Sequence, residues 1–117
     1  MPFLRIVSSA EPPAAAAADV LLADLSALLA REIGKPESYV MTCLEPPARM
    51  TFAGTTAPAC YVEVKNVGTL APELTRRMSA ALTERLATAL GVARNRVYIH
   101  FVETRPHHWG WDGDTFG

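Results

Sequence analysis

The stretch that decides the fold is residues 61–102, YVEVKNVGTLAPELTRRMSAALTERLATALGVARNRVYIHFV. Its first seven residues alternate apolar and polar side chains, as a strand with one buried face does. Gly68 ends this strand, and Pro72 stands where a helix begins. Leucine or methionine then recurs at every fourth position: Leu74, Met78, Leu82, Leu86 and Leu90. Because residues 96–102 read as a second strand, the stretch predicts one β-α-β unit.

The first half of the chain repeats this pattern. Residues 3–7 predict a strand, and apolar residues three and four apart predict a helix from Ala14 to Ile33. Gly34 follows the last apolar position of that helix, as Gly91 does in the second half. Residues 39–44 predict the strand that completes the first β-α-β unit.

Two such units predict an α+β fold in a single domain, residues 1–117. Right-handed β-α-β units that pair edge to edge form a four-stranded mixed sheet with both helices on one face. The other face of the sheet is then bare. In strands this apolar, a bare face indicates a partner subunit, so we expect an oligomer.

Composition excludes several function classes. Half of the 117 residues are apolar, a fifth are charged and the net charge is −1, which is typical of a globular domain. The largest basic cluster is Arg76-Arg77, so no basic stripe indicates nucleic-acid binding. No apolar run indicates a membrane span or a signal peptide, and we expect a cytoplasmic protein.

Pro2 is the first candidate for chemistry. Initiator Met is generally removed before a small residue, which would leave Pro2 with a secondary amine at the N-terminus. Desolvation in an apolar pocket lowers the pKa of an amine, and a base with a pKa near 7 suits proton abstraction beside a carbonyl. Proline at position two is also common for reasons unrelated to catalysis.

Three further residues lie where they can bind a ligand. Lys35 follows Gly34 and fits either a helix dipole or a carboxylate anchor. Tyr98 and His100 are two apart on the last strand, so they point to one face of the sheet. That pair fits a site or a subunit contact, and His100 equally fits a satisfied interfacial histidine.

The C-terminal segment is rich in histidine and aromatic residues. His107 and His108 are adjacent in sequence and have no cysteine or carboxylate at ligand spacing, so we expect no metal site there. Trp109, Trp111 and Phe116 indicate an aromatic wall rather than a solvated tail. The two cysteines, Cys43 and Cys60, belong to no Cys-x-x-Cys motif, which disfavours thiol redox chemistry.

Together these residues resemble the macrophage migration inhibitory factor family of the tautomerase superfamily, over essentially the full chain. The segments that carry the resemblance are Met1-Pro2, Gly34-Lys35-Pro36, Phe52-Ala53-Gly54-Thr55-Thr56, Val67-Gly68, Arg96-Val97-Tyr98-Ile99, and Gly110-Trp111 through Thr115-Phe116. From Gly34 to the end of the chain, the order and spacing of these segments match the family's with almost no gaps.

The resemblance implies a homotrimer with active sites between subunits. It implies keto–enol tautomerisation of phenylpyruvate-like α-keto acids without a cofactor, and it leaves a dopachrome side activity and non-classical secretion open. Pro2 matches the catalytic base and acid. Lys35 matches the residue that holds the substrate carboxylate, assisted by the backbone near Val67, and Tyr98 matches a tyrosine supplied by the neighbouring subunit. The positions that match the aromatic pocket are Tyr39, Trp109, Trp111 and Phe116.

The sequence departs from the family at three positions. His100 stands where the animal cytokines have an amide that helps to bind substrate. Trp109 replaces a smaller apolar residue at the pocket mouth, which should narrow it. Ala57 replaces the first cysteine of the cytokine's Cys-x-x-Cys motif, so the oxidoreductase activity attributed to that motif should be absent.

Two other functions fit the same resemblance. One is an interaction protein of the cytokine type, whose binding survives loss of the Pro2 base. The other is a vestigial tautomerase that turns over every small keto acid very slowly.

Overall fold

Both β-α-β units are present in the computed structural model, which describes residues 1–117. The long elements are β1 (Phe3–Ser8), α1 (Ala15–Ile33), β2 (Met41–Leu44), β3 (Cys60–Val67), α2 (Pro72–Leu90) and β4 (Val97–Thr104). Short 3-10 turns precede β2 and β4, at Glu37–Tyr39 and Arg94–Arg96. Each helix is 19 residues long, and no helix is long and apolar enough to cross a membrane.

The four strands form one mixed sheet in the order β2-β1-β3-β4. Within each unit the two strands are parallel, and β1 and β3 join the units as an antiparallel pair at the centre. In that central pair Leu4 lies opposite Val64, and Ile6 lies opposite Val62. The predicted four-stranded mixed sheet is therefore confirmed.

The hydrophobic core lies between the sheet and the two helices. The buried side chains of β1 and β3 alternate along each strand, which sends every second residue to the helix side. The helices supply the four-residue stripes expected from the sequence, and one cluster joins residues of both helices to the sheet. Both helices therefore cover the same face. The fully buried large side chains of the cluster are Leu4, Ile6, Leu25, Leu28, Leu29, Val62, Val64, Met78, Leu82 and Leu86.

The two helices end in the same way. Gly34 and Gly91 are in the left-handed conformation, with φ of 76° and 67°. Each donates its backbone N–H to a carbonyl four residues earlier, from Gly34 to Ala30 at 2.9 Å and from Gly91 to Ala87 at 3.0 Å. Left-handed backbone strains a residue that has a Cβ. The equivalence of these glycines, expected from the sequence, is thus a shared helix cap.

Two of the predicted strands have wrong boundaries, the second and the last. The segment 39–44 is extended only from Met41, because Tyr39 closes a 3-10 turn by donating its N–H to the carbonyl of Pro36 at 3.1 Å. The last strand runs from Val97 to Thr104 rather than from 96 to 102, and Arg96 belongs to the turn before it.

The face of the sheet away from the helices is open and more polar than expected. Arg5, Glu63 and Lys65 lie on it and form a row of charges. The Arg5 guanidinium donates to Glu45 at 2.6 Å and to Glu63 at 3.4 Å. The bare face expected from the topology is present, but charged side chains occupy its centre.

A small hairpin that the sequence did not reveal ends the chain. Its strands are β5 (Gly110–Trp111) and β6 (Asp114–Thr115). Asp112 and Gly113 form the turn with φ of 53° and 80°, and Asp-Gly is a favoured pair for a two-residue turn of this kind.

We expect Leu82→Ala to lower the free energy of unfolding by about 2–5 kcal/mol, because Leu82 is fully buried under the sheet. Val20→Ala on α1 is the control: Val20 is 69% exposed, so the change should be within about 0.5 kcal/mol. Urea unfolding of both variants measures the difference. Similar values for the two variants would contradict the position of the core.

Candidate active site

A largely apolar pocket opens at one end of the sheet, beside the start of β1. Its volume is about 390 Å³, and eight of its eleven lining residues are hydrophobic. Three segments distant in sequence form the lining: Met1, Pro2 and Phe3; Ser38, Tyr39, Val40 and Met41; and Trp109, Gly110, Trp111 and Phe116. The pocket therefore gathers the N-terminus, the turn before β2 and the C-terminal hairpin.

Pro2 is held at the base of this pocket by the sheet. Its carbonyl accepts a hydrogen bond from the backbone N–H of Met41 at 3.1 Å, which continues the pairing of β1 with β2. The side chain of Pro2 is fully buried. Met1 is attached to the Pro2 nitrogen, which is consequently a tertiary amide with no N–H and no basic lone pair.

Three aromatic rings form one wall of the pocket. The ring centroid of Tyr39 is 5.7 Å from that of Trp111 and 6.2 Å from that of Phe116, both in edge-on geometry. The rings of Trp111 and Phe116 are nearly parallel, with centroids 6.1 Å apart. Such offset pairs are favourable beyond the apolar area that they bury. The 3-10 turn at Glu37–Tyr39, which delays the start of β2 relative to the prediction, contains Tyr39 and leaves its ring at this wall.

The C-terminal hairpin supplies the rest of the wall. The backbone N–H of Phe116 donates to the carbonyl of Trp109 at 3.2 Å, so the two residues are tied together across the hairpin. Trp109 lines the pocket and is partly buried. Trp111 is 57% exposed, so the wall is open to solvent on one side.

Lys35 lies next to the pocket because of the helix cap that precedes it. Its backbone N–H shares the carbonyl of Ala30 with Gly34, at 3.1 Å. Its side chain then reaches β3, where Nζ donates to the carbonyl of Val67 at 2.6 Å. An ammonium has three donors; Val67 takes one and holds the group in place, and the amine of Met1 also lies within hydrogen-bond reach of it.

The electrostatics of the pocket act on the N-terminal amine. Burial lowers the pKa of the Met1 amine from 8.0 to about 6, assisted by the positive charge of Lys35 and by a hydrogen bond with it. Desolvation and a neighbouring cation both disfavour the ammonium form. At neutral pH an amine at this position is therefore mostly unprotonated and can act as a base.

Tyr98 and His100 lie outside this pocket, on the open face of the sheet. Tyr98 is level with Tyr61 on β3, whereas the start of β1 is level with Lys65, four residues further along. Four residues of a strand span about 13 Å. Tyr98 therefore does not reach Pro2 within one chain. His100 is level with Glu63, and the whole of β3 lies between it and β1.

Tyr98 borders a second hollow of about 380 Å³ on its own side of the sheet. Its ring packs against Phe52 with centroids 4.7 Å apart. Phe52 belongs to the loop that precedes β3. The Arg96 side chain holds that loop by donating hydrogen bonds to the carbonyls of Phe52, Thr55, Ala57 and Pro58. The role of Arg96 was not predicted, because no periodicity or spacing indicates a side chain that binds a loop backbone.

His100 takes part in a short hydrogen-bond chain. The Tyr61 hydroxyl lies 3.1 Å from a carboxylate oxygen of Glu63 and 3.3 Å from Nδ1 of His100. Burial alone would raise the pKa of Glu63, but the Tyr61 hydrogen bond and the charges of Lys65 and Arg5 outweigh it and lower that pKa. Glu63 is thus an anion that accepts a hydrogen bond from the Tyr61 hydroxyl, and Nδ1 of His100 lies within hydrogen-bond distance of the same hydroxyl.

The remaining candidates for metal or thiol chemistry lie apart from one another. No three His, Cys, Asp or Glu side chains are grouped so that they could hold a metal ion. His107 and His108 lie in an exposed 3-10 turn, with ring centroids 4.1 Å apart. Cys60 is buried, and desolvation raises the pKa of its thiol to about 11, so this thiol is protonated at neutral pH.

Sequence reasoning missed several residues of the pocket. Met1, Phe3, Ser38, Val40, Met41 and Gly110 all line it. All of them except Met41 are chain neighbours of a predicted residue, so adjacency was the only available signal. Asn66, on β3 beside Val67, was also missed, and it is almost completely buried.

Comparison with known proteins gives a consistent result. The family model for macrophage migration inhibitory factor (MIF) matches residues 1–117. A macrophage migration inhibitory factor homolog of Trichuris trichiura is 40% identical over 95 residues, which are 81% of this chain and 83% of that protein. The crystal structure of a homologue from Prochlorococcus marinus has a TM-score of 0.91 at 43% identity, covering 98% of this chain and 99% of that one. For the Trichinella spiralis factor the TM-score is 0.87 at 32% identity, covering 97% and 99%.

We expect Lys35→Gln to raise the pKa of the N-terminal amine of the Met1-retaining chain from about 6 toward 8.0, because a neighbouring cation is removed. NMR titration of the amine measures this. Lys65→Gln, which changes the only other lysine of the chain and lies on the open face, is the matched control and should leave the value unchanged.

The same titration has a consequence for stability. The folded-state pKa lies below the unfolded one, so the unfolded chain binds the extra proton between about pH 6 and 8. Stability of the Met1-retaining protein therefore rises with pH across that window, and the rise should shrink in Lys35→Gln. An unchanged slope would contradict the coupling between Lys35 and the amine.

Proposed function

The chain belongs to the macrophage migration inhibitory factor family, and on that premise we propose that it is a keto–enol tautomerase of phenylpyruvate-like α-keto acids. The observation that supports this most directly is the environment of the N-terminal amine, an apolar pocket beside Lys35 that lowers its pKa to about 6. In our proposal residues 1–117 act as one tautomerase domain, and Pro2 becomes the reacting amine once Met1 is removed.

Removal of Met1 would convert the Pro2 nitrogen from an amide into a secondary amine. Pro2 is more deeply buried than Met1, so desolvation should act on its amine at least as strongly. In the keto acid, the neutral amine takes a proton from the carbon next to the carbonyl. The electrons of that C–H bond form the carbon–carbon double bond of the enol. The carbonyl oxygen takes a proton from water, and the Pro2 ammonium then gives its proton to the hydroxide that is left. The reverse reaction returns the proton from Pro2 to carbon.

The rest of the pocket has the groups that such a substrate needs. Lys35 pairs with the carboxylate while the Val67 carbonyl keeps Nζ in position. In a partly dry pocket this charge pair is stronger than in water. The substrate ring packs on Tyr39, Trp111 and Phe116, and Trp109 narrows the entrance, which favours flat aromatic acids over branched ones.

Completion of the site requires a second copy of the chain. We propose that three chains form a homotrimer in which Tyr98 and His100 of one copy reach the Pro2 pocket of the next. Both residues lie on the open face, away from the pocket of their own chain. Tyr98 is 65% exposed, so its ring is available to a neighbouring subunit.

Pro2→Gly should lower kcat/KM for enol-phenylpyruvate by roughly 100-fold or more, as expected for loss of a positioned acid–base group. The chain that retains Met1 should lose activity as well, because its Pro2 nitrogen has no basic lone pair. Mass spectrometry of the N-terminus must accompany each assay. Equal activity of Pro2→Gly and the processed parent would rule out Pro2 as the base and would favour an interaction protein.

Mixing two inactive variants tests whether the site is shared. Pro2→Gly and Tyr98→Phe chains refolded together should regain activity, since about a quarter of the sites in random trimers combine an intact Pro2 with an intact Tyr98. Sedimentation should give three times the chain mass of 12.7 kDa. Activity no higher than the mean of the two variants would show that each site lies within one chain.

A further inference from the structure

Asn66 has a buried side-chain oxygen without a hydrogen-bond partner. The residue is 1% exposed, and Oδ1 has no hydrogen-bond partner within the chain. A buried polar atom left without a hydrogen bond destabilises the folded state, because it has lost its contact with water and gained none in return. Leucine or valine would fill this place without that cost, so the amide requires an explanation.

The register of the sheet places Asn66 beside Pro2. Phe3 lies opposite Lys65 in the antiparallel pair of β1 and β3, so one further step sets Pro2 opposite Asn66. Burial alternates along both strands, and it places Pro2 and Asn66 together on the helix side. Side chains directly opposite each other on one face have Cβ atoms about 4.5–5.5 Å apart. That separation is within reach of an amide oxygen.

The missing donor can be supplied by the processed N-terminus. With Met1 attached, the Pro2 nitrogen has no hydrogen to donate. Once Met1 is removed, the neutral secondary amine has one N–H and the ammonium has two. We propose that Oδ1 of Asn66 accepts a hydrogen bond from the Pro2 amine of the processed chain and so positions that amine for proton transfer.

This hydrogen bond would set both the direction and the basicity of the amine. An N–H held toward Asn66 directs the lone pair away from the core. Because the ammonium is the better donor, the bond favours the protonated form and opposes the effects of burial and of Lys35. Two other titratable groups lie around Pro2. Tyr39 is across the pocket. Glu103 on β4 lies opposite Asn66, and its carboxylate accepts a hydrogen bond from the backbone N–H of Leu70 at 2.6 Å.

Asn66 is thus a positioning residue, and its role in catalysis depends on the proposed tautomerase function. The first test does not depend on turnover. In processed chains labelled with ¹⁵N-proline, the Pro2 amine is titrated by NMR in the parent and in Asn66→Leu. We expect its pKa to fall by about one unit in the variant, as for loss of a hydrogen bond to a charged group.

The control for this titration is Asn95→Leu, which makes the same change at an exposed residue before β4 and should leave the pKa unchanged. An unchanged pKa in Asn66→Leu would overturn the proposal. If the titration shifts while the parent has no tautomerase activity, the hydrogen bond is correct and the proposed function is wrong.

Stability supplies a second measurement with and without Met1. In the Met1-retaining chain, Asn66→Leu removes an unpartnered amide and should raise the Tm or leave it unchanged. In the processed chain the same substitution removes a hydrogen bond and should lower the Tm. A change of the same sign and size in both forms would overturn the proposal. If Asn66→Leu does not fold, the Tm of Asn66→Ser is compared with and without Met1 instead.

Discussion

The structure depends on the position of β1, which begins at residue 3 and pairs on both sides at the centre of the sheet. Chain termini usually lie at the surface and move freely. Here two neighbouring strands hold the first residues, and the Pro2 carbonyl is bonded to Met41. The terminal amine is consequently fixed in a pocket rather than solvated. Burial and the Lys35 cation both act on that one group.

The surroundings of this amine keep it mostly unprotonated at neutral pH, so that it can accept a proton. Burial contributes most to its lowered pKa, and Lys35 adds to it. Lys35 is itself constrained, since Gly34 ends α1 next to it and the Val67 carbonyl holds its ammonium. Two positive groups close together would repel if both were charged, so the pocket keeps the amine neutral and leaves the cation for an anionic ligand.

The sequence predicted the helices and strands whose apolar side chains recur at regular spacing. The leucine stripe of α2 and the alternation of β3 gave the sheet, the helices and the common face of Tyr98 and His100. Gly34 and Gly91 marked both helix ends, and the aromatic residues near the C-terminus were correctly expected to form a wall. Periodicity indicates which face of an element is buried, and the sheet, the helices and the common face of Tyr98 and His100 follow from it. The helix ends follow from a glycine placed after the last apolar position.

Other features depend on contacts that no local pattern records. Tyr39 was placed in a strand because a single 3-10 turn has no sequence period. Arg96 binds loop carbonyls, and backbone acceptors are the same at every residue. Asn66 is opposite Pro2 only because of the register between β1 and β3, and a shift of one residue would send it to the other face. The C-terminal hairpin is too short for alternation to reveal it.

The internal repeat explains why only one half of the molecule forms this pocket. In the second half, the position after the capping glycine is Val92, which is buried at 3% exposure where the first half has Lys35. The start of β3 has no chain end, since Ala59 precedes it and donates its N–H to Ser9. The group found there is Cys60, whose thiol is kept protonated by burial. One architecture thus places an amine of lowered pKa beside a cation at β1 and a protonated thiol in an apolar setting at β3.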